Sequence, residues 1–190
     1  MSGDLHIDSN SKGIAAEMEI LHHLEGEAYW KQLKVITERK EFKPVEKGIY
    51  SAAGQTDPDF PRLLDVAKKA AAQGFQVFIL PNPKEFKSAD LILVRNGIYQ
   101  MFDVKSITGK NSILTQLISS SEQASMVILN LCSTINPRKL SVSIRRYFDK
   151  CYSARKVIVF KGKRMIVVDR QAAETKTFIL DFCKSFREQK

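Results

Sequence analysis

One stretch limits the folds open to this 190-residue chain more than any other. It runs from Ser88 to Lys105, S-A-D-L-I-L-V-R-N-G-I-Y-Q-M-F-D-V-K. Apolar, β-branched and aromatic residues flank Asn96-Gly97 on both sides. Asn-Gly is the strongest short-range hairpin signal, because both central residues of a type I′ turn need positive φ. Two antiparallel strands are therefore expected, with Asp90 opening the first and Asp103 and Lys105 ending the second. Strand side chains alternate, so Asp103 and Lys105 share one face and Val104 points to the other. The turn folds Asp90 back towards Asp103. Two carboxylates and an ammonium group then meet at one end of the pair, which is the geometry needed to hold a hard divalent cation and steer a water at a phosphodiester.

Charge points to the same class of partner. Lys and Arg number 30 against 21 Asp and Glu, a net charge of +9. Such a balance favours nucleic acid or an acidic membrane surface. No run of about 18 apolar residues is present, so no transmembrane helix is expected. The N-terminus, M-S-G-D-L-H-I-D-S-N, lacks a basic-then-apolar signal peptide. Cys132, Cys151 and Cys183 are far apart, odd in number and without metal-ligand spacing, as expected of free thiols in a reducing compartment. Hydrophobic residues make up 44% of the chain, enough for a real core, so one domain is expected over residues 12–190 behind a frayed tail at 1–11.

Periodicity places the remaining elements. Ile14, Met18, Leu21 and Leu24 form one helical stripe, predicting a helix to about Glu25. Glu17 borders its buried side, and Glu19 points roughly 200° away at 100° per residue. Leu33–Thr37 reads as a strand, and Phe42–Pro61, rich in Pro, Gly and charge, as a long loop. A helix from Arg62 stops at Gly74. A strand at Phe75–Leu80 and the hairpin follow, then a helix after Gly109 and a fully apolar strand at Met126–Leu131. Pro137 opens a basic helix to about Cys151. A hairpin around Gly162 and an amphipathic helix over 171–186 close the chain. A small mixed α/β sheet with helices on its faces fits this order.

An acid on an early helix, an acid opening one strand and Asp-x-Lys ending the next make up the pattern of the PD-(D/E)xK nucleases, here Glu17, Asp90, Asp103 and Lys105. The residue types fit distinct roles. Asp90 and Asp103 would ligate Mg²⁺, with Mn²⁺ or Zn²⁺ as alternatives. Glu17 would complete the shell, and Lys105 would orient the attacking water and neutralise developing charge. Asp-x-Lys by itself is common in unrelated chains, and its ordinary meaning is a surface ion pair at a strand end. The hairpin and the upstream acid tip the balance towards a metal site.

Longer passages resemble one family. K-G-I-A-A-E-M-E at Lys12–Glu19, G-F-Q-V-F-I-L-P-N-P, the following A-D-L-I and F-D-V-K, and Q-A-S-M-V-I-L-N-L at Gln123–Leu131 are similar, in order, to the C-terminal tRNase domain of CdiA-type contact-dependent growth inhibition toxins. The resemblance spans most of residues 12–131. It implies a restriction-endonuclease-like fold with residues 26–61 as an insertion and a helix-hairpin-helix extension at the C-terminus. It also implies a toxin domain that cleaves tRNA. Such a domain is delivered from a larger secreted protein into the target-cell cytoplasm and blocked by a cognate immunity protein.

Binding residues are expected downstream. The segment from Arg138 to Arg164 holds ten Lys and Arg side chains, with Asp149 as its only acid and Tyr147, Phe148 and Tyr152 interleaved. Arg145, Arg146, Lys150, Arg155 and Lys156 are its candidate phosphate contacts. A solvated basic face over core aromatics is the plainer alternative. Lys110, just past Asp-x-Lys, could touch a phosphate. Gln123 could touch substrate or a metal-bound water, or simply cap its helix. Nothing in these residues separates RNA from DNA. A DNA endonuclease of a phage or mobile element, or a non-catalytic nucleic-acid-binding module on the same fold, uses the same pattern.

Overall fold

The computed structural model describes residues 13–21, 23–54, 57–82, 87–109 and 112–188. The tail at 1–11 and Lys110 lie outside the described residues. Within them the chain forms an eight-stranded mixed sheet in sequential order, β1 to β8. The strands are β1 Lys43–Glu46, β2 Ile49–Ser51, β3 Gln76–Ile79, β4 Leu91–Arg95, β5 Ile98–Ile107, β6 Met126–Leu131, β7 Lys156–Lys161 and β8 Arg164–Asp169. β2 and β3 are parallel, as are β5, β6 and β7; the other neighbours are antiparallel.

Among the described residues seven helices cover the two faces. They are α1 Gly13–Leu21, α2 Gly26–Thr37, α3 Phe60–Ala72, α4 Ile113–Ser120, α5 Pro137–Lys150, α6 Arg170–Glu174 and α7 Phe178–Glu188. α3 buries Phe60, Leu63, Val66, Ala67 and Ala70, an i, i+3, i+4 stripe, against Val77, Leu91, Phe102, Val104 and Ile128. The opposite face carries two separate packings. α1 and α2 lie over Phe78, Ile92, Val94 and Met101, while α4, α5 and α7 lie over Ile107, Val127, Leu129 and Val157. Asp103 and Lys105 fall between these two helical groups, because they alternate with Phe102 and Val104 along β5.

Asn96 has φ 51° and Gly97 φ 73°, the pair of positive angles that the Asn-Gly turn predicts. Five sequence expectations are corrected. Leu33–Thr37 is not a strand but the end of α2. Leu33 and Ile36 are both buried while Val35 is exposed, a three-residue period that a strand cannot produce. The supposed loop at 42–61 contains β1 and β2, joined at Gly48 and built into the sheet edge beside β3. Pro44 is tolerated there because β1 is the outermost strand and kinked by a register shift. The sheet is consequently not small. The final helix is also two, α6 and α7, broken at Thr175, and α1 ends at Leu21 rather than Glu25. Among the described residues no helix is long and apolar enough to cross a membrane.

Candidate functional site

β5 changes partners midway. Ile98–Phe102 pair with β4, and Asp103–Ile107 pair with β6. β4 starts only at Leu91, so past Phe102 the first edge of β5 turns from strand pairing to side-chain contacts. Asp90 extends the pairing by one residue. Its N–H donates to the Phe102 carbonyl at 2.9 Å and its own carbonyl accepts from Leu80 N–H at 2.9 Å. Its carboxylate Oδ2 then accepts the Val104 N–H at 2.8 Å, in the place a further strand residue would have taken. The Val104 carbonyl accepts from Nη1 of Arg62 at 2.7 Å. Arg62 sits in the first turn of α3, with Nε 3.1 Å from Asp59 Oδ1 and Nη2 4.0 Å from Asp90 Oδ2.

Asp103 lies opposite Asp90 in the extended register and is only 1% exposed. Nζ of Lys105 stands 3.2 Å from Asp103 Oδ1 and 3.0 Å from Oδ2. Gln123, in the turn between α4 and β6, completes the group. With its amide assigned from the surrounding network, its nitrogen donates to Asp103 Oδ1 at 2.9 Å and to the Ser88 carbonyl at 3.0 Å. Its oxygen accepts from Lys105 Nζ at 3.3 Å. Gln123 therefore locks the acid-lysine pair, a role the sequence did not assign it. Tyr147 of α5 has a buried hydroxyl without a partner among the described residues, near enough to Asp103 to feel its charge. Burial raises its phenol, and the charges of Cys151 and Asp103 add to the rise.

The electrostatics register the burial of two facing carboxylates. Burial, then the charge of Asp103, pushes Asp90 up to about 7, against the opposing pull of the Val104 N–H, Arg62 and Lys105. Asp103 Oδ2 is buried with no aligned donor. A hard cation fits these residues: two carboxylates and the Val104 carbonyl are the oxygen ligands such ions prefer, and Mg²⁺ keeps several waters of its own. Among the described residues no three His, Cys, Asp or Glu side chains cluster as a metal cage.

Glu17 is not brought to this group by any described contact. It pairs with Arg39 Nη1 at 3.2 Å, in a cluster with Glu41, and its Oε2 is buried without a partner among the described residues. Glu19 is exposed. The basic candidates divide. Arg146, Lys150 and Arg155 are exposed. Arg145 is engaged internally: its Nε donates to the Ala173 carbonyl at 3.1 Å, its Nη2 to the Thr175 carbonyl, and its guanidinium covers the Phe178 ring. Lys156 is half-buried, and burial lowers its pKa. Tyr147 and Phe148 belong to the core, whereas Tyr152 is 92% exposed. Arg62 and Tyr147 were missed as site residues. Arg62 reaches Val104 across 42 positions of chain, a contact that no local spacing announces.

No family model matches the chain, and no curated protein matches it. A search of solved structures finds it similar to the CdiA-CT/CdiI toxin and immunity complex from Burkholderia pseudomallei, at 25% identity and a TM-score of 0.49. The match covers 64% of this chain and 98% of that one.

Proposed function

We propose that this chain is a metal-dependent endonuclease of the PD-(D/E)xK type that hydrolyses phosphodiester bonds of RNA, tRNA first. The observation that carries the reading is the grouping of Asp90, Asp103, Lys105 and the Val104 carbonyl at one notch of the sheet, with Asp103 buried and its Oδ2 met only by the Lys105 ammonium at 3.0 Å. Asp90, Asp103 and the Val104 carbonyl would hold the ion. When bound, a divalent cation supplies charge to the phosphate and acidity to a water. Lys105 neutralises charge developing on the phosphate oxygens, its ammonium already held by Gln123 and Asp103. Asp103 stays fixed by Gln123, so the carboxylate does not reorient during the reaction. Arg62 stands ready to meet a phosphate once it leaves the Val104 carbonyl.

The effector role, delivery from a larger secreted protein into a target cell and an immunity protein as partner belong to the same proposal. They are supported by the passages at Lys12–Glu19, Gly74–Pro83 and Gln123–Leu131 that resemble the toxin family. The test is sequencing of RNA ends after incubation with wild-type protein and with Asp103→Ala, alongside a plasmid substrate. New RNA ends are expected in Mg²⁺ with wild type. They should fall by at least about a hundredfold with Asp103→Ala, and vanish in EDTA. Full activity from a folded Asp103→Ala protein would sink the reading. Cutting of plasmid alone would replace RNA with DNA as substrate, and binding without cleavage in any metal would leave a non-catalytic module.

A further inference from the structure

Beside the acid pair, α1, α2 and the turn between α4 and β6 enclose a cleft of about 440 Å³. Met101 forms part of its wall. It lies two residues before Asp103 on the same face of β5, about 7 Å along the strand. Gln123 forms another part, and the same side chain hydrogen-bonds to Asp103 and Lys105. The cleft thus adjoins the candidate catalytic groups through Gln123, which stands between them.

Two aromatic rings of α2 line it. Tyr29 is half-buried against the core under α1 and α2. Trp30 is 37% exposed and belongs to none of the three core packings. Their rings meet edge to face at 5.8 Å. Arg155, exposed just before β7, lines the cleft and is near enough for its charge to act on the Tyr29 phenol. Glu25 adds a carboxylate acceptor at the rim. A large aromatic held at a cleft without core duty, next to a guanidinium, is the equipment of a base-stacking platform.

We propose that this cleft holds one unpaired base of a single-stranded polynucleotide, stacked on the Tyr29 and Trp30 side, with the neighbouring phosphate led to Asp103 and Lys105. This rests on the nuclease reading for the polynucleotide itself. A base presents its flat face to one ring and an edge to the other, its ring N–H or amino group faces Glu25, and Arg155 attracts its phosphate. The site selects an unpaired base because a base within a duplex must first leave its stack. An anion without a base would gain from Arg155 but be repelled by Glu25.

Trp30 is the chain's only tryptophan, so its fluorescence reports on the cleft directly. The experiment titrates the full chain, in EDTA to prevent cleavage, with a single-stranded RNA oligonucleotide and with its duplex. The expected result is saturable quenching by the single strand at about tenfold lower concentration than by the duplex. Tyr29→Ala should weaken the single strand about tenfold, as loss of one stacked base does. Arg155→Gln should also weaken it, which keeps the test open if Tyr29→Ala fails to fold. Equal quenching by both strands, or binding that leaves Trp30 unchanged, overturns the proposal. Asp103-dependent cleavage without a Trp30 response would sink the base site and spare the nuclease reading. Quenching without cleavage in Mg²⁺ or Mn²⁺ would do the reverse.

Discussion

The Asp90 carboxylate accepts the Val104 N–H and also faces Asp103 across the strand pair. An unfolded aspartate titrates near 3.9, whereas burial and the charge of Asp103 push Asp90 up to about 7. Between those two values the native state holds a proton that the unfolded chain has released. Stability therefore falls as pH rises through about 4 to 7, with a ceiling of roughly 4 kcal/mol for this group. Asp90→Asn keeps an acceptor for Val104 and removes the titration. Its melting temperature is expected to exceed that of wild type at pH 8 and to lose the advantage near pH 4; equal slopes in thermal melts would overturn the assignment. Arg62 supplies the positive charge that the pair partly lacks, and it does so on the carbonyl a cation would use. Arg62→Ala should melt lower in metal-free buffer at pH 8 and bind Mn²⁺ several-fold more tightly. Paramagnetic resonance of free Mn²⁺ measures the second effect, and unchanged affinity would show that Arg62 and the ion do not compete.

The hairpin of β4 and β5 was readable because its signals are local: an Asn-Gly turn and alternating apolar residues agree over eighteen positions. α2 was not. Leu33-Lys34-Val35-Ile36-Thr37 is rich in β-branched residues, and propensity favoured a strand. Burial of Leu33 and Ile36 under α1 and against β5 decided for a helix, aided by the Glu27–Lys31 pair. α5 shows a second element-level device outside the sequence pattern. Arg170 reaches back to its C-terminal end, donating to the Phe148, Cys151 and Ala154 carbonyls at 2.8, 2.6 and 3.0 Å and covering the Phe148 ring. It satisfies carbonyls that the helix end leaves open. Arg170→Ala is expected to cost about 2–3 kcal/mol, read as a lower urea midpoint with an unchanged slope. Lysine should recover only part, because it lacks the planar fork.

Across the whole molecule the net charge of +9 is not spread evenly in its uses. Arg145 is consumed by α6 and α7, and Lys161 covers the Phe186 ring at 4.3 Å. Arg146 and Lys150 remain exposed on α5. The double substitution Arg146→Gln, Lys150→Gln should therefore lower the slope of log affinity against log salt for single-stranded RNA by about 1.4, at about 0.7 per phosphate contact. Arg145→Gln should leave that slope alone and lower stability instead. Fluorescence titration at several salt concentrations separates the two, and a slope unmoved by the double substitution would place the polynucleotide elsewhere.

By itself the sequence determined the strand pair, the facing of Asp103 and Lys105, the helix of α3 and the buried β6, because turn chemistry and side-chain period act over a few residues. Only the tertiary structure decided that Arg62 stands beside Asp90, that Gln123 clamps Asp103 to Lys105, and that Glu17 pairs with Arg39. It also decided which of the basic side chains face solvent. Each of these depends on where β5 changes partners and on which helices close over it. Those are long-range matters of packing, in which charges far apart in the chain find one another only after the sheet has formed.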